Sequence, residues 1–348
     1  MRYIGTKAST LPYLGAFVQA NAPDARSICD CFAGACSVAR YFKARGMRVV
    51  TGDLMTFSHR FQSALVALNR QPSFIDLEAA GEISTGDAPA HVRVLQRLSA
   101  LEGQPGYVTE HFSPVGDARR LFFMEENAAR IDAMRAEMAR WDAGRLLAPG
   151  EADYLLTALI IGADAVANTA GTYYAYLKSW DRKARRPITL KPLALTDNGQ
   201  DNSCHLADAR ELAATVNTDL LYLDPPYNAR DYAGYYHLPE TLARGDDPEP
   251  TGRSGIPRER RVIRSDFCRP TMASTAFRRL IDASVAPRIL MHYAVDGLIS
   301  HEEIMDTLSA IGPTQQHDLV VRSYATDQTA AAKRSTHRIY WCVRRAAV

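Results

Sequence analysis

The chain has 348 residues, 47% of them hydrophobic and 23% charged, with a formal net charge of +2. That composition suits one large α/β core plus an insertion or a second small domain. A membrane span is excluded because no apolar run approaches the required length. The amino terminus shows no signal-peptide pattern, so a cytoplasmic protein is expected. The cysteines at 29, 31, 36, 204, 268 and 342 form no Cys-x-x-Cys pair, and no histidine cluster completes a metal site. Free thiols in a reducing compartment, and no metal, are the expectation.

In chain order, residues 1–26 read as a lead-in. Ser27 to Cys31 reads as a short strand, followed by the small-residue turn Phe32-Ala33-Gly34-Ala35 and a helix from Ser37 to Ala44. Gly34 between two alanines lets a ligand approach the backbone closely. A second strand near 47–52 ends in Asp53, about twenty residues on, where a carboxylate can accept bonds from ribose hydroxyls. The three-glycine phosphate fingerprint is absent, which favours S-adenosylmethionine over a pyrophosphate cofactor. Residues 56–70 place Phe57, Phe61, Leu65 and Leu68 on one helical face.

A long insertion follows. Phe123 to Trp141 puts Ile131, Met134 and Met138 on one face, and Glu151 to Val166 reads as a buried helix entered through Pro149-Gly150. From Lys178 to Lys191 there are six basic residues (Lys178, Arg182, Lys183, Arg185, Arg186, Lys191) against the single acid Asp181. Such a run can neutralise nucleic-acid phosphates.

Strands are expected near 202–208 and 219–223. The second ends in Asp224-Pro225-Pro226-Tyr227, where two prolines remove two backbone donors and stop the strand. Ligands of open α/β sheets bind outside the carboxyl ends of strands. A carboxylate, a rigid turn with free carbonyls and an aromatic ring would meet there. That set suits an exocyclic amine on a base. The Asp224 carboxylate and the Pro225 carbonyl can accept its two N–H bonds and localise the nitrogen lone pair, while Tyr227 stacks on the base.

Residues 228–267 read as a long loop beside this site, with Arg258, Arg260 and Arg261 as candidate phosphate contacts. These arginines can equally pair with Asp246, Asp247 and Glu249 in the same loop. Further strands are expected near 287–293, 316–322 and 336–344.

Arg2-Tyr3-Ile4-Gly5-Thr6-Lys7, Asp30 to Val38, and Asp224 to Tyr227, in this order, resemble the D12 (Dam-type) class of DNA N6-adenine methyltransferases. Asp164 to Tyr173, with Tyr176, Lys178 and Trp180, and His292 to Ile299 extend the likeness over nearly the whole chain. The resemblance implies a Rossmann-like S-adenosylmethionine-dependent methyltransferase sheet with helices on both faces and a largely helical insertion. It implies catalysis by Asp224, Pro225, Pro226 and Tyr227 on double-stranded DNA. It also implies cofactor contacts from Tyr3, Lys7, Asp30, Phe32, Ala33, Gly34, Asp53 and Asp208. Cys36 departs from the glycine usual in the family, and Cys31 from a larger apolar residue.

The expected organisation is a catalytic domain from 1–71 and 190–348, with 72–189 as a candidate target-recognition region. The expected setting is restriction–modification, with a cognate endonuclease acting on the same site without a stable complex. The same amine chemistry would serve N4 of cytosine or adenine in RNA, and a non-catalytic DNA-binding protein could retain the fold.

Overall fold

In a computed structural model of the chain, residues 7, 9–261, 264–322 and 334–346 are described. The chain divides into two compact units. One contains residues 7–62, 196–231 and 264–346, and the other residues 63–195 and 232–261.

The first unit is built on a seven-stranded sheet: β1 (Ser27–Asp30), β2 (Arg48–Asp53), β3 (Ser203–Leu206), β4 (Leu220–Leu223), β5 (Arg288–Ala294), β6 (Thr314–Arg322) and β7 (Arg334–Val343). Its order is β3-β2-β1-β4-β5-β7-β6. The first five strands run parallel, and β7 lies antiparallel between β5 and β6. β1 and β4 are buried along their whole length. That is why they read as continuous apolar runs without alternation.

Both faces of this sheet are covered by helices. Cys29, Cys31, Leu221, Leu223, Ile289 and Met291 point to one face and join Leu212, Phe277, Leu280, Ile281, Ile304 and Leu308 in one apolar cluster. These last six come from the helices Ala209–Thr215, Ala273–Ala283 and His301–Ile311. Each fully buried Leu, Ile or Phe contributes about 1.5–3 kcal/mol. On the other face lies the helix Leu11–Asn21, within the stretch read as a lead-in. Phe17 sits edge-on to Trp341 of β7, with centroids 5.8 Å apart. Gly15 gives room there, because a Cβ would strike the Tyr41 ring of the helix Ser37–Lys43 and that ring would have to shift.

The strand order reverses at β1, whose neighbours are β2 and β4. A sheet that reverses in this way opens a crevice at the carboxyl ends of those strands. Asp30 ends β1, Asp53 ends β2, and Asp224 follows β4 directly.

The second unit is helical, with helices Ala90–Ser99, Tyr107–Phe112, Glu125–Ala143 and Glu151–Val166. Ile131, Met134, Met138 and Trp141 are buried on one face of the third of these, as their spacing predicts. Two expectations change. The helix from Thr56 is α-helical only to Gln62 and widens to a π-helical turn over Ser63–Ala67. The stretch 228–267, read as one long loop, contains the helices Tyr232–Tyr235 and His237–Arg244, and residues 232–261 pack within the helical unit.

Candidate active site

Asp224 is held from two sides. Its Oδ2 lies 2.5 Å from Lys7 Nζ, and its Oδ1 accepts a 2.5 Å hydrogen bond from the Tyr227 hydroxyl. Both side chains of the ion pair are largely buried, at 5% exposure for Lys7 and 15% for Asp224. The Lys7 ammonium also sits 5.1 Å from the centre of the Tyr227 ring. The tyrosine is anchored at both ends. Its carbonyl accepts the Leu298 N–H at 2.8 Å, and its ring lies edge-on to Tyr293 and His337, at 5.2 and 5.4 Å. A carboxylate, an ammonium and an aromatic face thus converge at the end of β4.

The turn after β1 is built around Asp53. Its Oδ2 accepts the Gly34 N–H at 2.9 Å and its Oδ1 the Met55 N–H at 3.0 Å. Gly34 has φ 48°, and its carbonyl accepts the Ser58 hydroxyl at 2.7 Å. Ala33 donates to the Gly52 carbonyl at 3.1 Å, tying the turn to β2. Cys36 adopts φ 63° and is fully buried. The turn therefore keeps the left-handed geometry without glycine, at a cost of about 1–2 kcal/mol. Burial pushes the Cys36 thiol up, so it is no nucleophile.

Asp30 is 2% exposed, and its Oδ1 accepts the Phe32 N–H at 3.3 Å. Burial, then the neighbouring Asp224 charge, push its carboxyl up to about 8. Asp53 acts in the same direction and Lys7 against it. Phe32 packs edge-on against Phe267, with centroids 5.1 Å apart. Asp208 is exposed, and its Oδ1 caps the helix Ala209–Thr215 by accepting the Arg210 N–H at 2.9 Å. Tyr3 lies outside the described residues.

Sequence reasoning missed the groups around Tyr227. His292 was read only as part of a family segment, and His337 not at all. Their place follows from strand pairing, since β5 and β7 set Ala294 opposite His337.

The basic candidates divide. Lys178, Arg182, Arg185 and Arg186 are exposed and Lys183 is half-buried. Two buried asparagines pin their backbone. Asn127 donates to the Ala184 and Arg186 carbonyls and accepts the Ile188 N–H, and Asn168 accepts the Asp181 N–H. Arg258 is exposed. Arg260 corrects the expectation of a phosphate contact. It is 1% exposed, and its Nη2 lies 2.6 Å from each carboxylate oxygen of Asp246. A guanidinium buried on a carboxylate is not free to take a phosphate. The Arg261 side chain lies outside the described residues. Tyr236 and His237 are interior, and His237 Nε2 bonds the Tyr173 carbonyl at 3.0 Å.

Among the described residues, no group of three His, Cys, Asp or Glu side chains is placed to hold a metal. None of the described helices is long and apolar enough to cross a membrane.

Five parallel strands with an antiparallel β7 inserted before β6, and an Asp-Pro-Pro-Tyr turn after β4, define a Rossmann-like methyltransferase fold. The chain belongs to the D12 class N6 adenine-specific DNA methyltransferase family, which it matches over residues 3–306. It is 33% identical to the modification methylase StsI of Streptococcus sanguinis, over 88% of this chain and 46% of that protein. It is 33% identical to the type II methyltransferase M.FokI of Planomicrobium okeanokoites, over 93% of this chain and 49% of the relative. The type II methyltransferase M.NlaIII of Neisseria lactamica is 32% identical over 97% of this chain and 96% of its own length. The chain thus spans about half the length of the first two relatives and nearly all of the third.

Proposed function

We propose that this protein methylates N6 of adenine in double-stranded DNA, using S-adenosylmethionine, as the modification enzyme of a restriction–modification system. The observation that carries the reading is the Asp224 carboxylate, largely buried and paired with Lys7 at the ligand edge of the sheet. An amine acceptor needs that placement, because a carboxylate binds N–H groups most strongly away from water.

The residues at the site fit the cofactor. Asp53 and Asp224 lie close enough to Asp30 for their charges to push its carboxyl up, against the one ammonium of Lys7. A ligand carrying a sulfonium and an ammonium relieves that repulsion. Gly34 leaves its backbone open to close approach. Under this reading Asp53 holds the ribose hydroxyls, the 32–34 turn and Asp30 hold the amino-acid part, and Asp208 reads the adenine amine. When bound, S-adenosylmethionine supplies a methyl group on a positively charged sulfur.

The chain's own residues do the rest. Tyr227 offers its ring to the flipped base. Asp224 Oδ1 exchanges the Tyr227 hydroxyl for an amine N–H, and the Pro225 carbonyl takes the other. Lys7 holds Asp224 in position throughout. After transfer the amine sheds a proton, for which Asp224 is the acceptor.

The exposed Lys178, Arg182, Arg185, Arg186 and Arg258 are read as phosphate contacts, with Lys183 and Arg261 beside them in sequence. The helical unit is read as the target-recognition part, and the cytoplasm as the working compartment. Methylation-sensitive sequencing of DNA from a host expressing the protein tests the activity and yields base and sequence together. N6-methyladenine at one short motif is expected. N4-methylcytosine, or no modification, counts against it.

A further inference from the structure

Two histidines stand behind Tyr227. His292 on β5 and His337 on β7 lie on one face of the sheet, two residues out of register. His337 Nδ1 is 2.9 Å from His292 Nε2. One nitrogen must therefore donate and the other accept. His292 is fully buried, and its Nδ1 has no hydrogen-bond partner among the described residues. Orphaned buried N–H groups are rarer than orphaned acceptors. The proton of His292 therefore belongs on Nε2, donating to His337, and its Nδ1 is bare.

This tautomer has a consequence for charge. If His337 takes a proton on Nδ1, the bond between the rings survives only when His292 moves its proton to Nδ1. That creates an orphaned buried donor. If His292 takes the proton, the same orphan results. The pair is therefore built to stay neutral. The charged and titratable groups facing it act on it unequally: Lys7 opposes charging of both rings, whereas Asp224 and Asp296 favour it at His337. Burial is the largest influence on both and holds both below the usual histidine range.

His337 is also one of the two rings that hold Tyr227 edge-on, at an interplanar angle of 88°. Tyr293, the other, is itself fixed, because its hydroxyl accepts the Ile299 N–H at 3.2 Å. We propose that His292 and His337 are a positioning pair: His292 orients His337, His337 sets the ring of Tyr227 for stacking on the target base, and the pair works only when uncharged. This rests on the activity proposed above. Protonation at acid pH would turn the His337 ring away from His292 and release Tyr227.

The test compares wild type with His337→Phe, which keeps a ring without a proton, and His337→Gln, which keeps a polar group without a ring. Steady-state methylation is followed from pH 5 to 8.5, with cofactor affinity measured separately. Wild type should lose kcat on the acid side, and that acid limb should vanish in both variants. The KM for DNA should rise roughly tenfold in the Gln variant and less in the Phe variant, as loss of ring stacking predicts, with cofactor affinity unchanged. An acid limb that persists in both variants, or an unchanged KM in the Gln variant, overturns the proposal. Should the variants not fold, nitrogen NMR of the wild-type imidazoles decides. His292 protonated on Nε2, and His337 charging at the pH where kcat falls, support the pair; another tautomer or a mismatched midpoint overturns it. A wild type that forms no N6-methyladenine overturns the activity reading instead.

Discussion

Lys7 and Asp224, more than two hundred residues apart in the chain, meet at 2.5 Å, with Tyr227 closing the other carboxylate oxygen. Each carboxylate oxygen of Asp224 thus already accepts one donor. Under the proposed activity, an incoming amine competes for Oδ1 with the Tyr227 hydroxyl, which can leave while its ring stays in place.

That competition separates two substitutions. Tyr227→Phe removes the hydroxyl that the amine displaces but keeps the ring, so the KM for DNA should stay equal or fall. Tyr227→Ala loses stacking worth about 1–3 kcal/mol, so KM should rise roughly ten- to a hundredfold. Equal losses in steady-state assays of the two variants would assign the hydroxyl a direct role and refute this account.

Arg258 and Arg260 are two positions apart and should behave oppositely. Arg260→Ala leaves Asp246 with Arg244 alone and a hole where a buried guanidinium sat, which should cost about 2 kcal/mol in urea unfolding. Arg258→Ala should leave stability within about 0.5 kcal/mol. It should flatten the dependence of log affinity on log salt by about 0.9. A large stability loss at Arg258, or a changed salt slope at Arg260 alone, would reverse the assignment.

Asp30 gives a pH signature. Its carboxyl in the folded protein is raised to about 8 from an unfolded value near 3.8. The folded state therefore holds a proton that the unfolded state has lost. The stabilisation is full below pH 3.8 and is lost progressively as pH rises through 8, at no more than about 1.4 kcal/mol per pH unit. Asp30→Asn should show a flatter profile by denaturant unfolding. A cationic ligand beside Asp30 favours the ionised form, so cofactor should bind more tightly as pH rises through 8. Calorimetry in buffers of different ionisation enthalpy should detect the released proton. Identical profiles in wild type and variant would remove Asp30 from this role.

Cys36 tests the cofactor turn. Cys36→Gly relieves left-handed strain of about 1 kcal/mol but removes a buried side chain worth a similar amount, so stability should change by less than about 1 kcal/mol. Cys36→Val puts a branched side chain at φ 63°, and about 2 kcal/mol or more should be lost, with weaker cofactor binding. A Val variant as stable as wild type would mean that the turn relaxes freely.

Much of the catalytic unit was legible because buried parallel strands are written as apolar runs with punctuated ends. The strands at Ser27–Asp30 and Leu220–Leu223, and the helix Glu151–Val166, stand where the pattern predicts. The helix Leu11–Asn21 was hidden by Pro12 and Gly15. Yet Pro12 sits in the first turn, which tolerates it, and Gly15 answers to Tyr41. Pro239 similarly masks the helix His237–Arg244, where it also falls in the first turn. Charge runs do not encode burial, so Arg260 looked like its neighbours until Asp246 was seen beneath it. The Lys7–Asp224 and His292–His337 contacts join residues far apart in the chain, and only the tertiary fold brings them together, through the β5–β7 pairing for the histidines.

The most direct measurement is nucleoside analysis by mass spectrometry after incubating unmethylated double-stranded DNA with S-adenosylmethionine and either wild type or Asp224→Asn. Wild type should yield N6-methyldeoxyadenosine and no N4-methyldeoxycytidine. The Asn variant should bind cofactor normally but transfer methyl on the order of a hundredfold more slowly or less. Wild type that binds cofactor yet leaves adenine unmodified, or an Asn variant within a few-fold of wild type, would contradict the central claim.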